Sequence, residues 1–317
     1  MKINETSLKK VIAFALVYII WGTTYLAIRF AIQTIPPFLM AGIRFTTAGL
    51  LFYSWCYLYF DKKPGLADWR KAAIPGVLMF VFGNGSLTWS EQFIPSGLAA
   101  LIIATLPIWM VLLDWFIYKE KRPDILTVIG IFLGLIGVGL LSGLDESVLI
   151  DKASPGASVF LSIFILTFAA ISWSIGSLYS RHTTTSVSLQ FMVSMQVLVG
   201  GFVLIIIGLI HGEWAQLSIK SITLRSAISL AYLVVFGSLV TYSAYLWLLK
   251  VSTPAKVGTY AFFNPLIAVL LGWIWVNEPL TTQTVVGAGF IFSSILFVNR
   301  PRMVKKTTGN RKHRNFL

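Results

Sequence analysis

One permanent charge stands inside an otherwise apolar run: Arg44, in FLMAGIRFTTAGLLF. At the centre of a lipid-embedded helix such a residue costs roughly 2.5–3.5 kcal/mol even on the lower scales. Snorkelling, a carboxylate partner or backbone carbonyls must offset that cost. Arg44 either attracts a carboxylate-bearing substrate, or makes a bond between helices that is switchable or static. Carboxylates that could carry a proton are few. Glu91 closes one apolar run, where an end position also accounts for it. Asp114 follows Pro107 by two helical turns and so shares its face. Uncharged candidates for lining a substrate pathway are Trp21, Tyr25, Asn84, Thr105, Trp173, Gln196, Tyr242, Tyr260 and Asn264. Asn84 lies in FGNGS, where glycines loosen a helix, and Asn264 directly precedes Pro265. Trp55, Tyr57, Tyr59 and Trp115 sit near run ends and read as interface anchors.

Enzyme chemistry needs paired acids, a nucleophile with its base, or metal ligands. His182, His211 and His313 fall near loops or in the tail, and no two carboxylates share helical spacing within a run. Cys56 is the single cysteine, which excludes an intramolecular disulfide or a cysteine-rich metal site. Neither catalysis, a metal nor a cofactor is expected.

The elements that position these residues follow from composition. The 317 residues are 56% hydrophobic and 12% charged, with a mean hydropathy of +0.80, whereas a soluble domain carries about 25% charged residues. A bilayer absorbs such a chain, and a spanning helix needs about 20 apolar residues. Ten runs meet this, near 11–31, 37–59, 72–90, 97–118, 125–142, 157–179, 189–210, 226–248, 257–276 and 281–298. They are continuously apolar, hence helices and not barrel strands. The first, after Lys9 and Lys10, lacks a small-residue cleavage site and reads as a retained anchor.

The net charge of +13 could suggest nucleic acid, but its distribution follows membrane topology. With odd-numbered connections outside, Lys62, Lys63, Lys119, Lys121, Arg122, the basic tail and most of the other basic residues fall inside. Arg29, Lys152, Lys220 and Arg225 fall outside. Both termini are then cytoplasmic, and the tail contacts anionic lipid.

Pro107 and Glu120 recur, at the same spacing, as Pro265 and Glu278. Around Trp21 and Trp173 the chain repeats a tryptophan, small residues, a tyrosine and a basic residue. At one common offset Met40 falls on Met192, Arg44 on Gln196 and Gly49 on Gly201, and Phe82-Gly83 resembles Phe236-Gly237. Five spans per half is odd, so the second copy enters the membrane inverted. The expected plan is a cytoplasmic N-terminus (1–10), a first repeat (11–142), a polar linker (143–156), a second repeat (157–298) and a basic tail (299–317). Interior prolines free backbone carbonyls that need protein or a wet cavity beside them. Pro107 and Pro265 therefore either gate a central pathway or set a fixed bend. Glu120 and Glu278 read as helix-end structure, favouring the positive end of the following helix. Glycines in spans 5 and 10 allow close packing, within one chain or between chains.

These motifs resemble the EamA family of the drug/metabolite transporter superfamily: WG-T-Y-R at 21–29, PP-x6-R-F at 36–45, FGNG, PSGLAAL at 95–101, TLP at 105–107 and the helix-end glutamates. The resemblance covers about residues 10–298 and is weaker in the second half, where Gln196 replaces the arginine and the double proline is absent. It implies an all-α integral membrane protein, ten helices in two inverted five-helix repeats around a central cavity. It also implies a permease in a bacterial inner membrane that exports or exchanges small metabolites, often amino acids or related compounds, by alternating access, with a proton or counter-substrate as coupling partner. A channel or a non-transporting receptor is the alternative. Substrate, direction and oligomeric state are not encoded in these motifs.

Overall fold

The computed structural model describes residues 5–94, 96–120, 122–141, 156–276 and 281–300. Glu278, the linker 143–155 and the tail from 301 lie outside the described residues. The described chain is helical almost throughout and contains no strand. The helices are α1 (Glu5–Ala31), α2 (Pro37–Tyr59), α3 (Leu66–Ser90), α4 (Ser96–Ile103), α5 (Leu106–Phe116), α6 (Ile125–Leu141), α7 (Gly156–His182), α8 (Leu189–Ile210), α9 (Leu224–Val251), α10 (Pro254–Gly258), α11 (Tyr260–Val276) and α12 (Thr282–Asn299).

Seven helical stretches among the described residues are long and apolar enough to cross a membrane, and Ile125–Leu141 is a shorter apolar helix. The chain is a multi-pass membrane protein. Its surface agrees: Leu58, Phe160, Phe164, Ile210 and Leu296 are exposed, while Ser162, Ser174, Ser177, Ser194 and Ser294 are buried. That is the reverse of a water-soluble protein, as expected where lipid is the solvent.

Local chemistry sets the helix starts. Pro37 opens α2, where its missing N–H costs nothing. The side chains of Ser188, Thr223, Thr253 and Thr281 accept the first free backbone N–H groups of α8, α9, α10 and α12. Asp124 does the same for α6, accepting from the N–H of Thr127 at 2.8 Å. The expected helix-end carboxylate of this helix was Glu120. It stands exposed, four residues upstream of the group that caps the helix.

Two helix pairs pack most closely, α2 with α8 and α6 with α12. Glycine makes both possible. A methyl group at Gly201 would stand 2.4 Å from the backbone nitrogen of Thr46, and one at Gly49 would stand 2.7 Å from Leu198 Cα. At the second seam, a methyl at Gly137 would meet the carbonyl oxygen of Gly287 at 2.7 Å. The small residues of these two helices thus pack against each other within one chain. Gly139 and Gly289, by contrast, face open space. Between the seams, α1 lies against α9 and α11, while α7 lies against α3, α4 and α5.

Basic residues collect at one end. Lys71 donates to the carbonyl of Thr184 (2.9 Å), Lys250 to that of Arg181 (2.8 Å) and Lys256 to that of Asn299 (3.0 Å). Arg300 pairs with Asp124 at 2.9 Å. At the opposite end Glu213 accepts from the N–H groups of Phe38 and Leu39, at 3.2 and 2.8 Å, and ties the short helix Glu213–Gln216 to the start of α2.

Candidate functional site

Four irregular backbone stretches border one cavity. In α3 the residues Val77–Gly85, just after Pro75, form wide turns with i→i+5 bonding, and Leu233–Val240 do the same in α9. Such turns are rare and gather at functional sites. Side chains occupy the carbonyls they leave accessible. Ser172 donates to Leu78 (2.8 Å), Ser238 to Leu233 (2.9 Å), Thr241 to Phe236 (2.7 Å), and the Trp21 indole N–H to Gly237 (3.0 Å).

The fourth and ninth apolar runs are each broken. α4 gives way to α5 at Ala104–Thr105, and α10 to α11 at Thr259. Each break carries a threonine whose hydroxyl turns back three residues: Thr105 to Ile102 (2.7 Å) and Thr259 to Lys256 (2.6 Å). The two prolines differ in their use. Pro107 follows the first break at the opening of α5 and so interrupts no helix. Pro265 lies inside α11, downstream of the second break. The breaks approach each other, since a methyl on Gly258 would stand 3.3 Å from Pro107 Cα.

The cavity is small in this conformation, about 70 Å³. Its wall takes Trp21 and Tyr25 from α1, Arg44 from α2, Asn84 from α3, Trp173 from α7, Tyr242 from α9, and Tyr260 and Asn264 from α11. Trp21 packs edge-on against Trp173 (5.7 Å) and Tyr260 (4.8 Å), and Phe80 against Phe45 (4.7 Å) and Tyr242 (4.8 Å). Ile103 and Leu106, which flank the first break, and Gly83 and Gly237, from the two wide segments, complete the link between irregular backbone and cavity.

Arg44 is buried. Its Nε donates to Ser238 Oγ at 2.9 Å, and its guanidinium carbon stands 4.6 Å from the centre of the Phe45 ring, a cation–π geometry. The Nη groups form no hydrogen bond among the described residues. Glu91 feels the charges of Arg29 and Arg44, yet both its carboxylate oxygens are sealed from solvent and lack a hydrogen-bond partner among the described residues. The side-chain oxygen of Asn264 is likewise buried and unpartnered.

Two expected residues lie off this wall. Thr105 sits in the first break, where its hydroxyl accepts from the Trp109 indole at 3.1 Å. Gln196 lies behind Tyr242, accepting its hydroxyl at 2.5 Å and donating to Ser180 at 3.2 Å. Toward the basic end, Tyr245 joins Trp173 (3.0 Å) and Ser177 (2.7 Å), and Tyr18 is hydrogen-bonded to Thr259 at the second break. Beyond them a second cleft, of about 280 Å³, includes Asp114, Glu120, Arg181 and Lys256. Asp114 pairs there with His182 at 3.1 Å, so it stands at the basic end and away from the central cavity. Ser238, Thr259 and Tyr245 were not singled out from the sequence. The matched Phe82-Gly83 and Phe236-Gly237 dipeptides fall inside the two wide segments, and were the local signal for them.

Residues 8–143 and 160–300 match the EamA-like transporter family. The chain is 34% identical over 287 residues to a protein of Escherichia coli K12 named uncharacterized inner membrane transporter YedA, across 90% of this chain and 88% of that one. It is 27% identical to the uncharacterized transporter YvbV of Bacillus subtilis 168, across 92% of each. A protein of known crystal structure shares the fold, with a TM-score of 0.73 and 16% identity, over 92% of this chain and 97% of that one.

Proposed function

The chain belongs to the EamA-like transporter family, and from that premise we propose that it is a secondary carrier exporting or exchanging small metabolites across a bacterial inner membrane by alternating access. The observation that carries this reading is the convergence of two wide helical segments and two helix breaks on one cavity. Irregular backbone at membrane depth is stable only beside protein or a wet cavity, and broken helices around a midplane site are the plan of many carriers.

Ten spans in two inverted repeats are supported by the pairing of helices. α1 against α9 and α11 has its counterpart in α7 against α3, α4 and α5, while each seam joins one helix from either half. Cytoplasmic termini are supported by the basic end, because positive residues stay inside. The Tyr18–Thr259 bond and the close approach of Pro107 to Gly258 join the two helix breaks on the basic side of the cavity, and support a cytoplasmic gate there. Glu91, whose buried carboxylate has no hydrogen-bond partner among the described residues and feels the charge of Arg44, is the residue best placed to exchange a proton during the cycle.

The test is counterflow into proteoliposomes of the purified chain, with a panel of labelled amino acids and organic acids. Saturable uptake, accelerated by the same compound inside, is expected for at least one of them. Conductance far above carrier turnover in planar bilayers, without saturation, would instead identify a channel.

A further inference from the structure

We infer that the central cavity selects a small organic monoanion, a carboxylate on a flat apolar body, and discriminates against both the zwitterion and the cation of the same body. This rests on the carrier reading and specifies its substrate. The wall is mostly apolar, with aromatic rings from several helices, and carries one permanent charge, Arg44, whose Nε is held by Ser238 at 2.9 Å. That bond orients the guanidinium and leaves the Nη side of its fork without a hydrogen bond among the described residues. A planar carboxylate matches such a fork.

An ammonium group finds no equivalent. Among the described residues the wall contains no carboxylate, and the nearby Glu91 has both oxygens sealed from solvent. Beside Arg44 an ammonium would add a second buried positive charge with no counter-ion in contact, which is unfavourable in a site with little water. The other polar groups of the wall are neutral: the Asn84 and Asn264 amides, the Thr24 and tyrosine hydroxyls and the tryptophan indoles. The Asn264 side-chain oxygen is buried without a partner and can accept one hydrogen bond from a hydroxyl or N–H of the ligand.

The experiment uses three probes with one body: 3-(4-hydroxyphenyl)propionate, tyrosine and tyramine. Binding to the full-length purified chain is measured by calorimetry, and exchange by counterflow in proteoliposomes. The anion should bind at least tenfold more tightly than tyrosine, and tyramine should show no saturable binding. Arg44→Gln should weaken the anion by roughly ten- to a hundredfold, the range set by hydrogen bonds to a charged group, and Arg44→Lys by less. If Arg44→Gln does not fold, the ranking of the three probes on the unaltered protein still decides. Equal or tighter binding of tyrosine or tyramine, binding of none of the three, or a folded Arg44→Gln with unchanged affinity each overturns the inference. The anion binding without counterflow would refute the carrier reading and leave the anion site standing. Preferential exchange of tyrosine or tyramine would do the reverse.

Discussion

Ser238→Ala tests whether the cavity cation is held in place by the wide segment of α9. Ser238 is 1% exposed and Arg44 3%, so solvent has little access to replace the lost hydroxyl. Two bonds disappear together, Arg44 Nε to Ser238 at 2.9 Å and Ser238 to the Leu233 carbonyl at 2.9 Å. A bond to a charged group contributes about 1.5–3 kcal/mol and a neutral one about 1 kcal/mol. The guanidinium can recover part of this by turning toward Glu91, so the expected net loss of stability is about 2 kcal/mol. The same freedom should weaken 3-(4-hydroxyphenyl)propionate about tenfold, or about 1.4 kcal/mol. Thermal unfolding in detergent and calorimetric titration measure the two effects. The reasoning is refuted if Ser238→Ala lowers affinity as much in an Arg44→Gln background as in the unaltered protein. The hydroxyl would then act on the ligand independently of Arg44, because only coupled residues deviate from additivity.

Three further perturbations probe other levels. Gly201→Ala places a methyl 2.4 Å from the Thr46 backbone nitrogen and should cost about 1–3 kcal/mol of stability through overpacking, whereas Gly139→Ala, with nothing within 4 Å, should leave the melting temperature unchanged. Glu91→Gln should abolish the stimulation of uptake by a proton gradient while sparing counterflow, and gradient-driven uptake that persists in this variant removes Glu91 from the coupling step. Partial burial pushes the Asp124 carboxyl up, but hydrogen bonds from Thr127 and the Arg300 guanidinium outweigh it and hold the group below the usual carboxylate range. Its folded pKa being the lower one, its contribution is complete at neutral pH and is lost as pH falls through that value. Asp124→Asn should therefore melt earlier at pH 7 and converge with the unaltered protein below about pH 4.

The helical plan was legible because the bilayer demands long apolar runs. The second and seventh runs, 37–59 and 189–210, coincide with α2 and α8. Boundaries drifted where helices continue past the apolar stretch: α3 begins at Leu66 and α7 extends to His182. Both run on into polar or charged residues at the basic end, which a hydrophobicity count trims away.

The departures from regular helix were harder to read. Proline marked the first break, at Pro107, yet the second falls at Thr259, six residues before Pro265. The wide segments depend on partners remote in sequence, Ser172 for α3 and Trp21 for α9, and no local pattern contains them. Residue type indicated which side chains could face a cavity. Which ones do is set by helix rotation, and that is why Thr105 and Gln196 stand behind the wall. The recurrence of Glu120 as Glu278 marks the helix end, but the cap of α6 is Asp124, which has no counterpart in that recurrence.

The two glycine seams limit how this molecule can change shape. At both flanks a helix from residues before 142 is riveted to one from residues after 155, backbone against backbone, so the halves cannot rock apart as two blocks without opening a seam. The deformable parts lie between the rivets, where two helices carry slack turns and two runs are already severed. Any passage from one side to the other must come from flexing these inner struts within a fixed frame. Labels placed across the seams should keep constant distances while those across the breaks change.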